Sequence, residues 1–257
     1  MPLILLFALL GFWIVGIKGL LIGALIGFGL SRMASASRRS GLLTLQSQFL
    51  DTTFAVMGAL CKADGVVTRD EIRVTEQLFA RLHLSPEQKD AAKAAFTRGK
   101  APDFDLEGEV DRFVQSAQDG GGMFQLFLQV QLSAVAADGQ VHPAEHAMLV
   151  RIARRLGLSE LDLARLEALL RAAAGGAATA GSPPPQQRLD DAYAAIGVTA
   201  EASESEIKRA YRKLMSENHP DKLAAKGLPD SMRQLAEERA RELNVAYDLI
   251  RKARQFG

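Results

Sequence analysis

Three groups of side chains in this chain have the types and spacing to do chemistry. The first is His219-Pro220-Asp221, followed by Lys222, in the stretch SENHPDKLA. It puts an imidazole, a carboxylate and an ammonium side by side, next to a proline that fixes φ and removes a backbone donor. The second is His142-Pro143-Ala144-Glu145-His146. Two imidazoles one helical turn apart and a carboxylate are parts of a zinc-activated water, but such a centre needs a third ligand, and no downstream signature supplies one. Pro143 also suits a helix start, which places His142 at the N-cap, outside the regular turn. The third is the acidic set Asp64, Glu71, Asp138 and Glu145. Carboxylates suit a hard cation such as calcium or magnesium; aspartates that shape turns and glutamates that cap helices explain the same spacings with no ion. Cys61, the only cysteine, lies on an apolar stripe and reads as a small core residue rather than a nucleophile. A lone cysteine excludes an intramolecular disulfide and a cysteine-based zinc cluster. His83, within RLHLS, reads as an ordinary surface or packing histidine.

The elements that must position these groups differ sharply along the chain. Residues 3–30 are apolar but for Lys18, and ~20 such residues already span a bilayer. A transmembrane helix is therefore predicted over 1–31. A cleaved signal is the rival, because Ala34-Ser35-Ala36 has the form of a cleavage site. However, no basic residue precedes the run, and it far exceeds a signal's apolar core. Arg32, Arg38 and Arg39 follow the span, which places the N-terminus outside and the bulk of the chain in the cytoplasm. Gly16, Gly19, Gly23 and Gly27 share one helical face. Their G-x-x-x-G steps allow two backbones to approach, so a homodimer through this helix is predicted. Over the whole chain, 31 Lys+Arg against 30 Asp+Glu and an aromatic content of 6% provide neither a basic field nor a stacking surface for nucleic acid.

Residues 42–173 show helical periodicity and no period-two alternation, so the expected class is all-α. Leu50, Phe54, Met57 and Cys61 make one stripe. Thr68–Glu71 has the form of a capping box, Ser85-Pro86 is a second helix start and Ser159-Glu160 a third. An internal repeat runs through this region. CKADGVVTRDE at 61–71 aligns with VAADGQVHPAE at 135–145, and the same offset brings RLHLS at 81–85 onto RLGLS at 155–159. Nine of these 25 aligned positions are identical, where average usage would give about one or two. The unit is a helix, an Asp-Gly turn and a capped helix, with Gly65 and Gly139 at the turns.

Residues 174–188, rich in Gly, Ala and Pro, read as a flexible linker that lets the last domain move relative to the middle one. In 189–257 a short helix ends near Gly197, and Ser203–Glu206 forms a capping box. The helix it opens has Ile207, Ala210, Tyr211 and Leu214 on one side and Lys208, Arg209, Arg212 and Lys213 on the other. Pro220 ends that helix near Asn218, and a long helix follows from about 229 to 253. Two helices joined by an exposed loop make an antiparallel hairpin with His-Pro-Asp at the start of the loop.

On Asp64-Gly65, Glu71, Asp138-Gly139 and Glu145, residues 45–173 resemble the TerB-like helical domains, a family whose acidic residues are candidates for metal binding. On DAYAAIGV, EIKRAYRKLMSENHPDK and ARELNVAYDLI, residues 190–254 resemble the J domain of DnaJ-type co-chaperones. That resemblance implies docking to a DnaK-type chaperone. Lys208, Arg209, Arg212 and Lys213 would hold an acidic surface, and His219, Pro220 and Asp221, with Lys222, would trigger the partner's ATP hydrolysis. Catalysis would then belong to DnaK, and the chain would need no cofactor and not be an enzyme. Span, TerB-like domain, linker and C-terminal J domain, in that order, resemble the DjlA family of membrane-anchored co-chaperones of Gram-negative bacteria. The implied partners are a DnaK-type chaperone, a lipid bilayer and a second copy of the chain. The alternative is a membrane scaffold or metal-responsive module acting through the TerB-like domain.

Overall fold

A computed structural model describes residues 43–62, 76–117, 120–136, 141–174 and 184–256, and all regular structure among them is helical. The middle region comprises α1 (43–60), α2 (described over 76–81), α3 (Pro86–Gly99), α4 (Leu106–Ser116), α5 (Gly121–Val135), α6 (Pro143–Arg155) and α7 (Glu160–Ala174). The C-terminal region comprises α8 (Pro185–Ile196), α9 (Glu204–Glu217), α10 (Pro220–Ala225), a 3-10 turn (Asp230–Met232) and α11 (Arg233–Arg254).

The expected stripe of Leu50, Phe54, Met57 and Cys61 is buried. It borders a cluster of aromatic rings centred on Phe113 of α4, which lies 5.4 Å from Phe49, 5.4 Å from Phe124 and 5.1 Å from Phe127 between ring centroids. Buried side-chain donors tie this core together. Thr52 Oγ1 donates to Glu109 at 2.9 Å, and the Gln131 amide donates to the Thr53 carbonyl at 3.0 Å, as buried polar atoms require.

Where both copies of the sequence repeat are described, at 81–85 and 155–159, the backbone repeats too. Ser85 and Ser159 both cap helices: Gln88 N–H donates to Ser85 Oγ at 3.3 Å, and Asp162 N–H donates to Ser159 Oγ at 3.1 Å. Two residues earlier, Gly157 has φ +72° and His83 has φ +46°. Gly157 closes a Schellman motif, with Gly157 N–H donating to Arg154 and Leu158 N–H to Ala153. His83 occupies the equivalent left-handed position, exposed, although an L-side chain there costs roughly 1–2 kcal/mol. His83→Gly relieves that strain but gives the unfolded chain more freedom. The expected net gain is about 0.5–1 kcal/mol, measurable as a rise of the thermal midpoint.

The boundary between the domains is described only at its two ends. Of the segment 174–188, which composition makes a linker, Ala174 ends α7 and Pro185–Arg188 form the first turn of α8, while 175–183 lie outside the described residues. Pro185 at the first helical position starts α8. The C-terminal domain does not stand apart, since residues 46–257 form one compact unit. Ala168 and Leu169 of α7 belong to the same buried cluster as Ala192, Tyr193, Ile196, Ile207, Leu243, Ala246 and Ile250. The small side chains Ala168, Ala192 and Ala195 let helices approach closely, and Arg171 Nε meets Asp191 at 3.0 Å across the α7–α8 contact.

A polar cluster lies at the same junction. Arg239 of α11 is 2% exposed. Its Nη2 donates to Gln125 Oε1 at 3.0 Å and its Nη1 to Gln129 Oε1, both on α5. Gln129 Nε2 donates in turn to Glu242 at 2.6 Å. Burial pushes the Arg239 guanidinium down to about 10, with Glu242 opposing. Burial also holds the Glu242 carboxyl above the usual glutamate range, against the Gln129 hydrogen bond and the Arg239 charge. A carboxyl raised in the folded state contributes most below its unfolded value and loses that contribution as pH rises through its folded value. Glu242→Gln keeps an acceptor for Gln129 and removes the buried charge. The variant is expected to melt above the wild type at pH 7, with the difference vanishing below the ordinary glutamate pKa of 4.5; thermal unfolding against pH checks this.

Candidate functional site

The C-terminal site is assembled on α9, α10 and the start of α11. Ser203 caps α9 with a full capping box: Glu206 N–H donates to Ser203 Oγ at 3.3 Å, and Ser203 N–H donates to Glu206 at 2.8 Å. Ile207 is fully buried, while Ala210, Tyr211 and Leu214 are half-buried against the same cluster. Tyr211 stacks on Tyr247 of α11 with centroids 4.1 Å apart, and its hydroxyl donates to Asn244. This fixes the rotation of α9 and so decides which charges face outward. Arg209, Arg212 and Lys213 are exposed. Lys208 is turned further in: its Nζ lies 2.5 Å from Glu204 and 5.7 Å from the centre of the Phe256 ring. Lys213 has Glu217 at 4.0 Å. The expected basic face therefore exists, with its strongest outward presentation at Arg209, Arg212 and Lys213.

The segment after α9 is more ordered than the expected loop. Asn218, fully buried, ends the helix by donating its side-chain amide to the Leu214 carbonyl at 2.9 Å. His219 is then the N-cap of α10, with Pro220 at the first helical position, and its Nδ1 accepts from Asp221 N–H at 3.2 Å. An accepting Nδ1 puts the ring proton on Nε2. Asp221 sits in the first turn, where a carboxylate complements the helix dipole, and one of its oxygens accepts from Arg233 at 2.8 Å. Lys222 Nζ donates to Ser216 Oγ, tying α10 back to α9. Leu223 anchors the short helix with 0% exposure, whereas the His219 and Asp221 side chains are 53% and 67% exposed. The helix closes on Gly227 (φ +104°), with Gly227 N–H on Ala224 and Leu228 N–H on Leu223.

Two parts of this site were missed in the sequence. Arg233, the partner of Asp221, looks like one more charge in a charged helix. Gly227 followed by Pro229 was a readable signal, because left-handed glycine with proline shortly after it marks a helix C-terminus.

The other candidates sit elsewhere. Glu145, 2% exposed, accepts from the His142 backbone N–H at 2.8 Å and so caps α6. His142 is the N-cap, as its proline predicts, and His146 Nε2 lies 3.4 Å from Glu167. The carboxylate is thus held by the helix start rather than presented between two imidazoles. Among the described residues no three His, Cys, Asp or Glu side chains are grouped to hold a metal ion. Asp64, Glu71 and Asp138 lie outside the described residues, as do Gly65 and Gly139, Lys18, the 1–31 span and Gly16, Gly19, Gly23 and Gly27. Among the described residues, no helix is long and apolar enough to cross a membrane.

Comparison with known proteins follows the same division. The DnaJ domain model matches residues 191–255, and the model of tellurite resistance protein TerB matches residues 51–168. The co-chaperone protein DjlA of Vibrio vulnificus is 40% identical over 229 residues, which cover 82% of this chain and 80% of that protein. That of Coxiella burnetii is 37% identical over 259 residues, 96% of each. The chain belongs to the DjlA family. The DjlA of Photobacterium profundum, 40% identical over 243 residues, covers 91% of the chain. No solved structure matches it significantly. Both matched segments lie within the domain bounds expected from the sequence, so the helices α1–α7 carry the TerB domain and α8–α11 the J domain of a DjlA-type chain.

Proposed function

We propose that this chain is a membrane-anchored co-chaperone that binds a DnaK-type chaperone and stimulates its ATP hydrolysis at the cytoplasmic face of the inner membrane. The observation that carries the reading is the outward presentation of His219 and Asp221 at the head of an anchored helix, directly after the exposed cations of α9 and inside a segment matching the DnaJ domain. Arg209, Arg212 and Lys213, with Lys208 at the edge, attract and orient an acidic surface on the partner; such contacts act strongly on association rate and weaken with salt. His219 offers Nε2–H, and Asp221 keeps one oxygen available beyond Arg233 for a basic group. Pro220 and Lys222 hold the segment in shape. ATP hydrolysis takes place in the partner, so this chain is not itself an enzyme. The 1–31 segment anchors it, with the bulk of the chain on the cytoplasmic side, and Gly16, Gly19, Gly23 and Gly27 pair two copies.

The test is single-turnover ATP hydrolysis by a DnaK-type chaperone with and without the full chain in detergent, at low and high salt. Stimulation that weakens with salt is expected. An unchanged rate at low salt would overturn the proposal.

A further inference from the structure

The J domain meets the TerB domain beside the helix that carries His219 and Asp221. A Cβ built on Gly122, in the first turn of α5, would lie 2.3 Å from the backbone carbonyl oxygen of Glu217 and 3.1 Å from Leu223 Cδ2. Glu217 is the last residue of α9, and Leu223 is the buried anchor of α10. The α5 backbone thus lies directly against both ends of the turn that presents His219. Just after α10, the Leu228 carbonyl accepts from the Gln46 side-chain amide at 3.4 Å. One to two turns along α5 from Gly122, Gln125 and Gln129 hold the buried Arg239 of α11. Arg81 of α2 pairs with Glu238 on the same helix.

These contacts decide between two roles for the TerB domain. An inhibitory partner would cover the signature residues. Here His219 and Asp221 keep 53% and 67% exposure while the domain is docked, and Arg209, Arg212 and Lys213 stay exposed. Among the described residues the contact covers the end of α9, the rear of α10, the inner side of α11 and, through α7, the helix α8.

We propose that the TerB domain is the seat of the J domain's signature helix: Gly122 sets the position of α10, and Gln125 and Gln129, through Arg239, hold α11 beside it. Gly122, Gln125 and Gln129 are then positioning residues for activation of the partner. The geometric part stands on the contacts alone. Its consequence for activation rests on the co-chaperone reading above.

The test compares the full chain in detergent with its Gly122→Ala and Gly122→Val variants. Backbone amides of 217–228 are expected to exchange hydrogen about tenfold faster or more in both variants, while those of 143–155 in α6 stay unchanged. Alanine suffices because its first carbon already meets a backbone carbonyl, which cannot swing away as a side chain could. In single-turnover hydrolysis by the partner, maximal stimulation should fall by about tenfold. The half-saturating concentration should change little, because the cations of α9 remain. A merely structural loss would instead move α6 exchange as well. The double variant Gln125→Ala, Gln129→Ala removes the hold on Arg239 without inserting bulk, and gives the same pair of changes if Gly122 variants fail to fold. Unchanged exchange at 217–228 in a folded variant overturns the seat, and so does unchanged maximal stimulation. Should the wild-type chain stimulate no DnaK, the co-chaperone reading falls, and exchange, which needs no partner, still decides the seat.

Discussion

His219→Gln is expected to reduce stimulation of the partner's ATP hydrolysis to near the basal rate while the chain stays folded. The two effects separate because the histidine does two jobs of unequal size. Inside the chain its Nδ1 caps α10 by accepting from Asp221 N–H, and losing such a cap costs about 1 kcal/mol. Pro220 and the buried Leu223 still hold the segment. Toward the partner, the ring presents a rigid Nε2–H donor. Glutamine replaces it with a longer, freely rotating amide, and a lost hydrogen bond to a charged group is worth about 1.5–3 kcal/mol. Applied to a transition state, that amounts to a rate loss of about ten- to a hundred-fold. Single-turnover hydrolysis at saturating chain measures the first effect and thermal unfolding the second. A variant that stimulates as well as the wild type would remove His219 from the mechanism.

Phe113→Ala should have the largest effect on stability. The ring is 0% exposed and contacts three other phenylalanines, so truncation is expected to cost about 3–5 kcal/mol. That is a large part of the ~5–15 kcal/mol that holds a domain folded. The more informative result is where the loss appears. Helix α7 supplies Leu163 and Leu166, both buried, and on its next turn Ala168 and Leu169, which complete the core of the J domain. A J domain joined only through a mobile spacer would melt on its own. With α7 shared, both domains should unfold in one transition that shifts downward as a unit, seen by calorimetry and by hydrogen exchange in α9 and α11 together. A J-domain transition left at its wild-type temperature would refute the shared core.

The features legible in the sequence are those set by local chemistry. Ser85, Ser159 and Ser203 cap helices because a hydroxyl and, three residues on, an amide or carboxyl oxygen define the motif by spacing alone. The break at Asn218 follows from Pro220. The 61–85 and 135–159 repeat predicted equivalent backbones, and His83 and Gly157 share a left-handed turn. The long-range partners of the site were less readable. Composition made 174–188 a spacer, and at its described end proline serves instead as the first helical position of α8. Arg239 did leave a trace: Leu235, Ala236, Leu243, Ala246 and Ile250 form one buried stripe of α11, and position 239 falls where the helical period asks for another apolar residue. A charge inside an apolar stripe signals a buried partner, but only the fold names Gln125 and Gln129.

The sharing of α7 also bears on how the protein is made. Domains emerge from the ribosome N-terminus first, and each tends to fold as a unit as it appears. Ala168 and Leu169 leave before any of α8–α11, so the small C-terminal domain, which supplies the rest of that cluster, does not complete its core alone. It condenses onto a surface already in place. Placing the J domain after the TerB domain thus lets its template be translated before it.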